Sequence, residues 1–384
     1  MFNLSVSDEQ KALRDLARRF TQTEIVPIAA EADRMEEYPW ELVEKAHAIG
    51  LTNIIVPEEY GGGGLGYFED CLVAEEIAAG CAGIYSSFAA STLGLTPLNV
   101  AATPEQLERF MKPFCAEPAL AAFCLTEPGA GSDIASVRTR ARRDGDFYVL
   151  NGTKRFVTNG GVAELYTVTA TVDPSLRHRG LVLLVVPSHL PGVSVGKKED
   201  KMGQRAASTR EVIFEDARVP LENRLGDDRE GFRLVMETLD KIRAEVAAAA
   251  VGVARAAMEA AVKYAKEREQ FGQPIISLQG IQFMLADMAI KVEAARLLVW
   301  QAAWMADQGL RNSYQSAIAK CFAAESAMKI TTDAVQIFGG YGYTKEYPVE
   351  KYMRDAKLLQ IYEGTNEIQR LVISRGLLHE YRAI

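Results

Sequence analysis

From Ser7 to about residue 114 apolar positions recur with a helical period. Ser7-Asp8-Glu9-Gln10 reads as a helix start, and Leu13, Leu16, Ala17 and Phe20 then build one apolar face. Pro27, Pro39, Pro57, Pro97 and Pro104 cut the region into short helices and connectors. From about Ala119 to Gly226 the period falls to two. Phe147–Leu150, then Asn151-Gly152, then Thr153–Thr158 predict a hairpin with a two-residue turn, and Leu181–Pro187 and Glu211–Pro220 continue the β texture. A sandwich or small barrel accommodates these strands. From Glu230 the chain is helical again: Phe232 to Gln270 has no proline and one glycine, Gly252. Ile281–Gln308 and Ser313–Phe338 follow as long amphipathic stretches, so this part reads as an up-down bundle. The predicted chain is α+β and multi-domain, with an all-α domain at 1–118, a β domain at 119–226 and a helical bundle at 227–384.

Composition narrows the class. The chain has 384 residues, 48% hydrophobic and 24% charged, enough for several cored domains. A net charge of -8 with interspersed signs argues against nucleic-acid or anionic-membrane binding. The five cysteines Cys71, Cys81, Cys115, Cys124 and Cys321 are scattered, with no CxxC. They fit a reducing compartment and buried small side chains better than disulfides or zinc. The four histidines form no HExxH, so no metal is expected. The charged N-terminus is no secretory signal, and the longest apolar run, Leu181–Pro187, is strand-sized. A cytoplasmic location is expected, or a mitochondrial matrix one if a transit peptide has been removed.

Several segments carry candidate chemistry, each with a plain structural alternative. Gly61, Gly63 and Gly66 spell GxGxxG but lack a βαβ unit, which favours a flexible surface turn. In TEPGAGSD (Thr126–Asp133) small residues leave backbone N–H groups bare beside Thr126 and Ser132. That can cradle a phosphate or a heterocycle edge, or simply join two strands. Phe156 and Thr158 share a strand face, as a planar ligand or a core would require. Asp240 and Arg243 are helix neighbours, a surface pair or a polar-ligand site. Arg268 with Gln270-Phe271-Gly272 ends a helix, where it favours the helix dipole or reaches a phosphate across an interface. Gly339-Gly340 caps the third long helix or allows close backbone approach. In IYEGTNEIQR (Ile361–Arg370), Glu363 precedes Gly364-Thr365, as a general base or a solvated acid at a turn.

Together PEEYGG, TEPGAGSD, the FVTNGG segment, EREQFG, QIFGGYGY, EYPVEKYMRDA and IYEGTNEIQR resemble the acyl-CoA dehydrogenase family, short- and medium-chain type, over essentially the whole chain. The resemblance implies FAD and oxidation of an acyl-CoA thioester to a trans-2-enoyl-CoA. It makes Glu363 the base that takes the α-proton while a β-hydride passes to flavin N5. It implies flavin contacts from Phe123, Leu125, Thr126, Gly131, Ser132, Phe156, Val157 and Thr158, with Thr365, Asn366 and Glu367 also against FAD. Substrate contacts are implied for Ser132, Asp240, Arg243 and Gly364. Arg268, Gln270, Phe271 and Gln279, with Gln336, Ile337, Gly339 and Gly340, would hold FAD across a subunit interface of a homotetramer. An electron-transfer flavoprotein would take the electrons.

Some positions depart from the family pattern. Phe156 stands where many relatives have Trp, and Leu278 replaces a polar residue often found before Gln279. Ile242 occupies the position where two branches of the family carry their base, leaving it to Glu363. The implied acyl pocket runs along Tyr85–Leu93 with Val246, Leu359 and Tyr362, and it favours short-to-medium straight chains. The alternatives are an oxidase or flavin monooxygenase of the same fold, or a non-enzymatic binding relative. An acidic pI of about 5.3 speaks against a nucleic-acid-associated role.

Overall fold

The computed structural model describes residues 5–380, so the outermost ends of the two predicted terminal domains, 1–4 and 381–384, lie outside the described residues. Helices come first: α1 (Asp8–Phe20), α2 (Ala29–Met35), α3 (Trp40–Ala48), α4 (Tyr67–Gly80), α5 (Ala82–Ala101), α6 (Pro104–Gln106) and α7 (Lys112–Ala116). The Ser7 cap forms as its sequence predicts: Oγ accepts from the Gln10 N–H, and the Gln10 side chain returns to the Ser7 N–H. Pro104 begins α6 behind a Thr103 cap. Pro97 does not interrupt: α5 runs through it, buried on nearly every face, so packing outweighs the one amide bond that proline removes. The Gly61–Gly66 turn is tight rather than flexible. Gly63 N–H donates to Asn53 O at 3.0 Å and Gly64 N–H to Val56 O at 2.8 Å, while a Cβ on Gly62 would lie 2.2 Å from Val56 O.

The middle region holds β1 (Ala121–Cys124), β2 (Arg140–Asp144), β3 (Phe147–Thr158), β4 (Leu165–Thr171), β5 (Leu181–Pro187), β6 (Val193–Lys198), β7 (Thr209–Pro220) and β8 (Arg224–Leu225). The strand order is β6-β7-β3-β2-β4-β5-β8, with β1 parallel to β4. β2 and β4 meet at Arg140 and Thr171. One apolar core, including Leu150, Tyr166, Leu184, Val186 and Phe214, is shared by strands from both halves.

The predicted hairpin turn at Asn151-Gly152 does not form. β3 continues through it, with a register shift against β7 between Leu150 and Gly152. Gly152 lies against Thr139, whose Oγ1 would be 2.6 Å from a Cβ there, so the glycine serves close approach at a bulge. The reversal is instead Gly145-Asp146, between paired Asp144 and Phe147, with Gly145 at φ 59°.

The third region contains α8 (Gly231–Glu267), the short hairpin β9 (Glu269–Gln270) and β10 (Gln273–Pro274), then α9 (Gln279–Asp307), α10 (Ser313–Phe338), α11 (Val349–Leu359) and α12 (Asn366–Glu380). The three long predicted helices are α8, α9 and α10. Their alanine-rich faces share one core with α4 and α5. A Cβ on Gly252 of α8 would sit 2.2 Å from Glu75 O of α4, so these helices cross with backbones in contact. All five cysteines are buried and unbridged. Among the described residues no helix is long and apolar enough to cross a membrane.

Candidate active site

Between the three regions lies a cavity of about 1300 Å³, ample for a cofactor and a substrate together. β1 and the loop after it supply Phe123, Leu125, Thr126, Gly131 and Ser132, and β3 supplies Phe156 and Thr158. α8 supplies Asp240, Ile242, Arg243, Glu245 and Val246, and the α11–α12 loop supplies Tyr362 through Thr365.

The TEPGAGSD loop is held by a buried ion pair that sequence reading missed. Lys154 Nζ, with no exposed surface, donates to Glu127 Oε1 at 2.7 Å and to Leu125 O at 3.0 Å. Glu127 also accepts from the Arg138 N–H at 2.7 Å and the Thr139 N–H at 2.9 Å. These bonds hold the Glu127 carboxyl below its ordinary range even against burial. The only sequence signal was an acid and a lysine in a β region, which looks like any exposed pair. Beyond this anchor, Gly131 opens onto free space, with nothing within 4 Å of a Cβ placed there.

Phe156 is the platform of this wall. It is 58% exposed and sits at φ 56°, an uncommon backbone for an aromatic, beside a second register shift of β3 against β7. The Arg155 guanidinium lies 5.1 Å from its ring centre. Strand alternation turns Val157 the other way, into the β core, and it does not line the cavity.

The same cleft is also lined by Glu363. The chain leaves α11 with the Tyr362 N–H bonded to Leu358 O at 3.1 Å and re-enters helix with the Asn366 N–H on Gln360 O at 3.0 Å. Glu363 (φ 53°) and Gly364 (φ 82°) are left-handed in between. Lys320 of α10 fixes that turn: its buried Nζ donates to Gly364 O at 2.8 Å and Asn366 Oδ1 at 3.2 Å. Gln369 Nε2 adds bonds to Glu363 O at 3.2 Å and Gly364 O at 3.0 Å. Glu363 Oε2 is buried and has no hydrogen-bond partner among the described residues. Burial raises its proton affinity above the ordinary carboxylate range, partly offset by Lys320 and Arg243. Burial in turn lowers the Lys320 ammonium to about 8.

Asp240 and Arg243 pair as expected. Arg243 Nη1 donates to Asp240 Oδ1 at 2.6 Å and to Ser316 Oγ at 3.1 Å. Thr365 reaches the cavity while its Oγ1 caps α12 by accepting from the Ile368 N–H at 3.3 Å. Asn366 is spent on Lys320 and Cys321 O, and Glu367 points to solvent; neither lines the cavity. Two pocket positions also shift. Leu358 rather than Leu359 lines the cleft, and Tyr85 lies behind it.

Arg268, Gln270, Phe271, Gln279, Gln336, Gly339 and Gly340 collect elsewhere, exposed at one end of the long helices. The β9–β10 turn thrusts Phe271 out, 90% exposed at φ 55°, followed by Gly272 at φ 76°. Ile337 instead joins the helical core because it falls on the inner face of α10. Within one chain this group does not meet the cleft.

The three regions match, in order, the family models described as acyl-CoA dehydrogenase, N-terminal domain (residues 7–118), middle domain (122–217) and C-terminal domain (229–378). The chain belongs to the acyl-CoA dehydrogenase family. It is 44% identical over 383 residues to the mitochondrial short-chain specific acyl-CoA dehydrogenase of Rattus norvegicus, covering 99% of this chain and 93% of that one. It is 45% identical to the probable acyl-CoA dehydrogenase fadE25 of Mycobacterium leprae, covering 98% of each. The solved butyryl-CoA dehydrogenase of Megasphaera elsdenii superposes with a TM-score of 0.96 at 42% identity, over 98% of this chain and all of that one. A solved chain from work on the electron transferring flavoprotein of Acidaminococcus fermentans gives 0.96 at 46%, with the same coverage. Family members are FAD-dependent. The wall built by Phe156, Thr126, Thr158 and the open Gly131 fits that cofactor: a flat aromatic surface, hydroxyls and bare backbone.

Proposed function

We propose that this enzyme dehydrogenates a short acyl-CoA at Cα–Cβ to the trans-2-enoyl-CoA, with Glu363 as the α-proton base, and passes the electrons to an electron-transfer flavoprotein. The observation carrying this reading is the buried Glu363 Oε2, unpartnered among the described residues, in a side chain that lines the same cleft as the cofactor cradle. Phe123, Leu125, Thr126, Phe156 and Thr158 would hold FAD, which when bound supplies the hydride acceptor.

Each part of the loop then has a task. Glu363 Oε2 takes the α-proton. Raised proton affinity brings it nearer the weakly acidic α-carbon, while Lys320 and Arg243 keep the ionised form accessible. The Glu363 N–H makes no hydrogen bond among the described residues and is free to donate to a thioester oxygen, stabilising the enolate. The Gly364 position suits glycine because its φ of 82° is a backbone that residues with a side chain rarely adopt. Asp240 and Arg243 would orient the thioester side of CoA, and Ser132 its outer part.

The exposed group around Arg268 and Phe271 would complete the FAD site of a neighbouring subunit in a homotetramer. Exposed Phe271 and Tyr341, with the Arg268 guanidinium 5.6 Å from the Tyr341 ring, support this as aromatic surface that a neighbouring subunit would cover. Phe271→Ser should then release FAD on gel filtration and lower the apparent mass; unchanged mass and flavin content would refute the shared site. For the reaction, anaerobic butyryl-CoA should bleach the yellow enzyme and Glu363→Gln should not. Bleaching of that variant at the wild-type rate would overturn the base assignment.

A further inference from the structure

A second acid lines the same cleft, and nothing in the dehydrogenation chemistry requires it. Glu245 of α8 is 3% exposed and lies beside Val246, on the wall that also includes Ser86, Ala89 and Leu93. Among the described residues its single hydrogen bond is from Tyr85 Oη, at a long 3.4 Å. Glu245 Oε2 is buried without a partner, and the side chain makes no ion pair among the described residues. Behind it a small cavity of about 30 Å³, lined by Asp70 and Tyr85, shares Glu245 as a wall.

A plain alkyl chain would be served better by an apolar residue here. An unpaired buried carboxyl costs stability, and a substrate group that bonds it recovers that cost on binding. The groups acting on Glu245 decide which substituent fits. Burial, with Asp70 behind and Glu363 beside it, raises the carboxyl's proton affinity well above the ordinary carboxylate range, and Tyr85 opposes this only in part. A carboxylate on the acyl chain would meet two further acids. An ammonium would give up its hydration on a wall whose other members are Ala89, Leu93, Val246 and a Ser86 hydroxyl already given to Gln204. A hydroxyl can donate to the unpartnered Glu245 Oε2 and can also accept, so it bonds this carboxyl without bringing a charge into the wall.

Resting on the dehydrogenase reading, we infer that Glu245 is a specificity residue, and that the acyl group this enzyme is built for carries a hydroxyl past the reacting Cα–Cβ pair.

The test uses FAD-loaded enzyme and anaerobic flavin bleaching with four acyl-CoAs: hexanoyl, 5-hydroxypentanoyl (its hydroxyl-for-methyl counterpart), glutaryl and 5-aminopentanoyl. The hydroxy substrate should exceed hexanoyl-CoA in bleaching rate over half-saturation concentration by roughly tenfold or more, since a site built around a buried polar group penalises the analogue lacking it. Glu245→Val should reverse the order and Glu245→Gln should retain part of it. The glutamine variant preserves shape and hydrogen bonding if the valine variant folds poorly. Equal or better bleaching by hexanoyl-CoA in the wild type overturns the inference. So does an unchanged ratio in both variants, or a preference for the glutaryl or amino compound. In those cases bleaching by any of the four still upholds the dehydrogenase reading. Bleaching by none of the four overturns this inference, and the butyryl-CoA experiment then decides the dehydrogenase reading separately.

Discussion

Glu363 and Glu245 are acids in one cleft, each with a buried oxygen that lacks a partner among the described residues, yet their surroundings have opposite sign. Lys320 and Arg243 act on Glu363, so its proton affinity rises through burial but is held in check. Asp70 and Glu363 act on Glu245, so burial and charge push the same way. Desolvation is the largest cause of each shift, and on the proposed reading the neighbouring charges separate Glu363 as a base from Glu245 as a hydrogen-bonding partner for the acyl group.

The sharpest way to break this contrast is to remove the base. Glu363→Gln should lower the anaerobic bleaching rate by about 10²–10⁴-fold or more, as losing a general base does. If Glu245 served as the base instead, that loss would be absent. Next in size is Lys320→Met. Without its cation Glu363 should become more like Glu245, binding its proton more tightly. A base works ionised, so the rate should fall below the raised pKa, by about tenfold per unit, and recover as pH increases. A uniform loss at every pH would mean that Lys320 only holds the Gly364 turn.

The smallest effect concerns the acid behind Glu245. Burial, then Asp307, raises Asp70 to about 7. The folded chain therefore keeps a proton that the unfolded chain releases near pH 4, and stability falls as pH rises through that window. Asp70→Asn should flatten the fall, holding Tm about 2–5 °C higher at pH 8 relative to pH 5 than the wild type does. Parallel Tm curves would show that Asp70 does not carry this proton.

Helices were legible wherever one rule acted alone. The Ser7 cap and the proline-free stretches that became α8, α9 and α10 needed only local periodicity. Asn151-Gly152 misled because the same dipeptide suits a turn and a bulge, and Thr139 packing against Gly152 chose the bulge. In the site, Phe156, Thr158, Arg243 and Glu363 were recoverable from motifs. Val157, Asn366 and Ile337 were not, because a motif says which segment nears the ligand and not which way each side chain turns. Lys320 and Glu245 sit in alanine-rich helices, where a lone charge looks like a solvated face until burial is known.

The contact of Gly252 with Glu75 O bears on how this protein can be taken apart. The family models divide the chain into three stretches, but α4, from the first, is wedged backbone to backbone against α8, from the last. Inheritance and cohesion therefore follow different borders here. A swap of terminal stretches between relatives must carry α4 together with α8, or graft a seam through a joint with no room for even a methyl group.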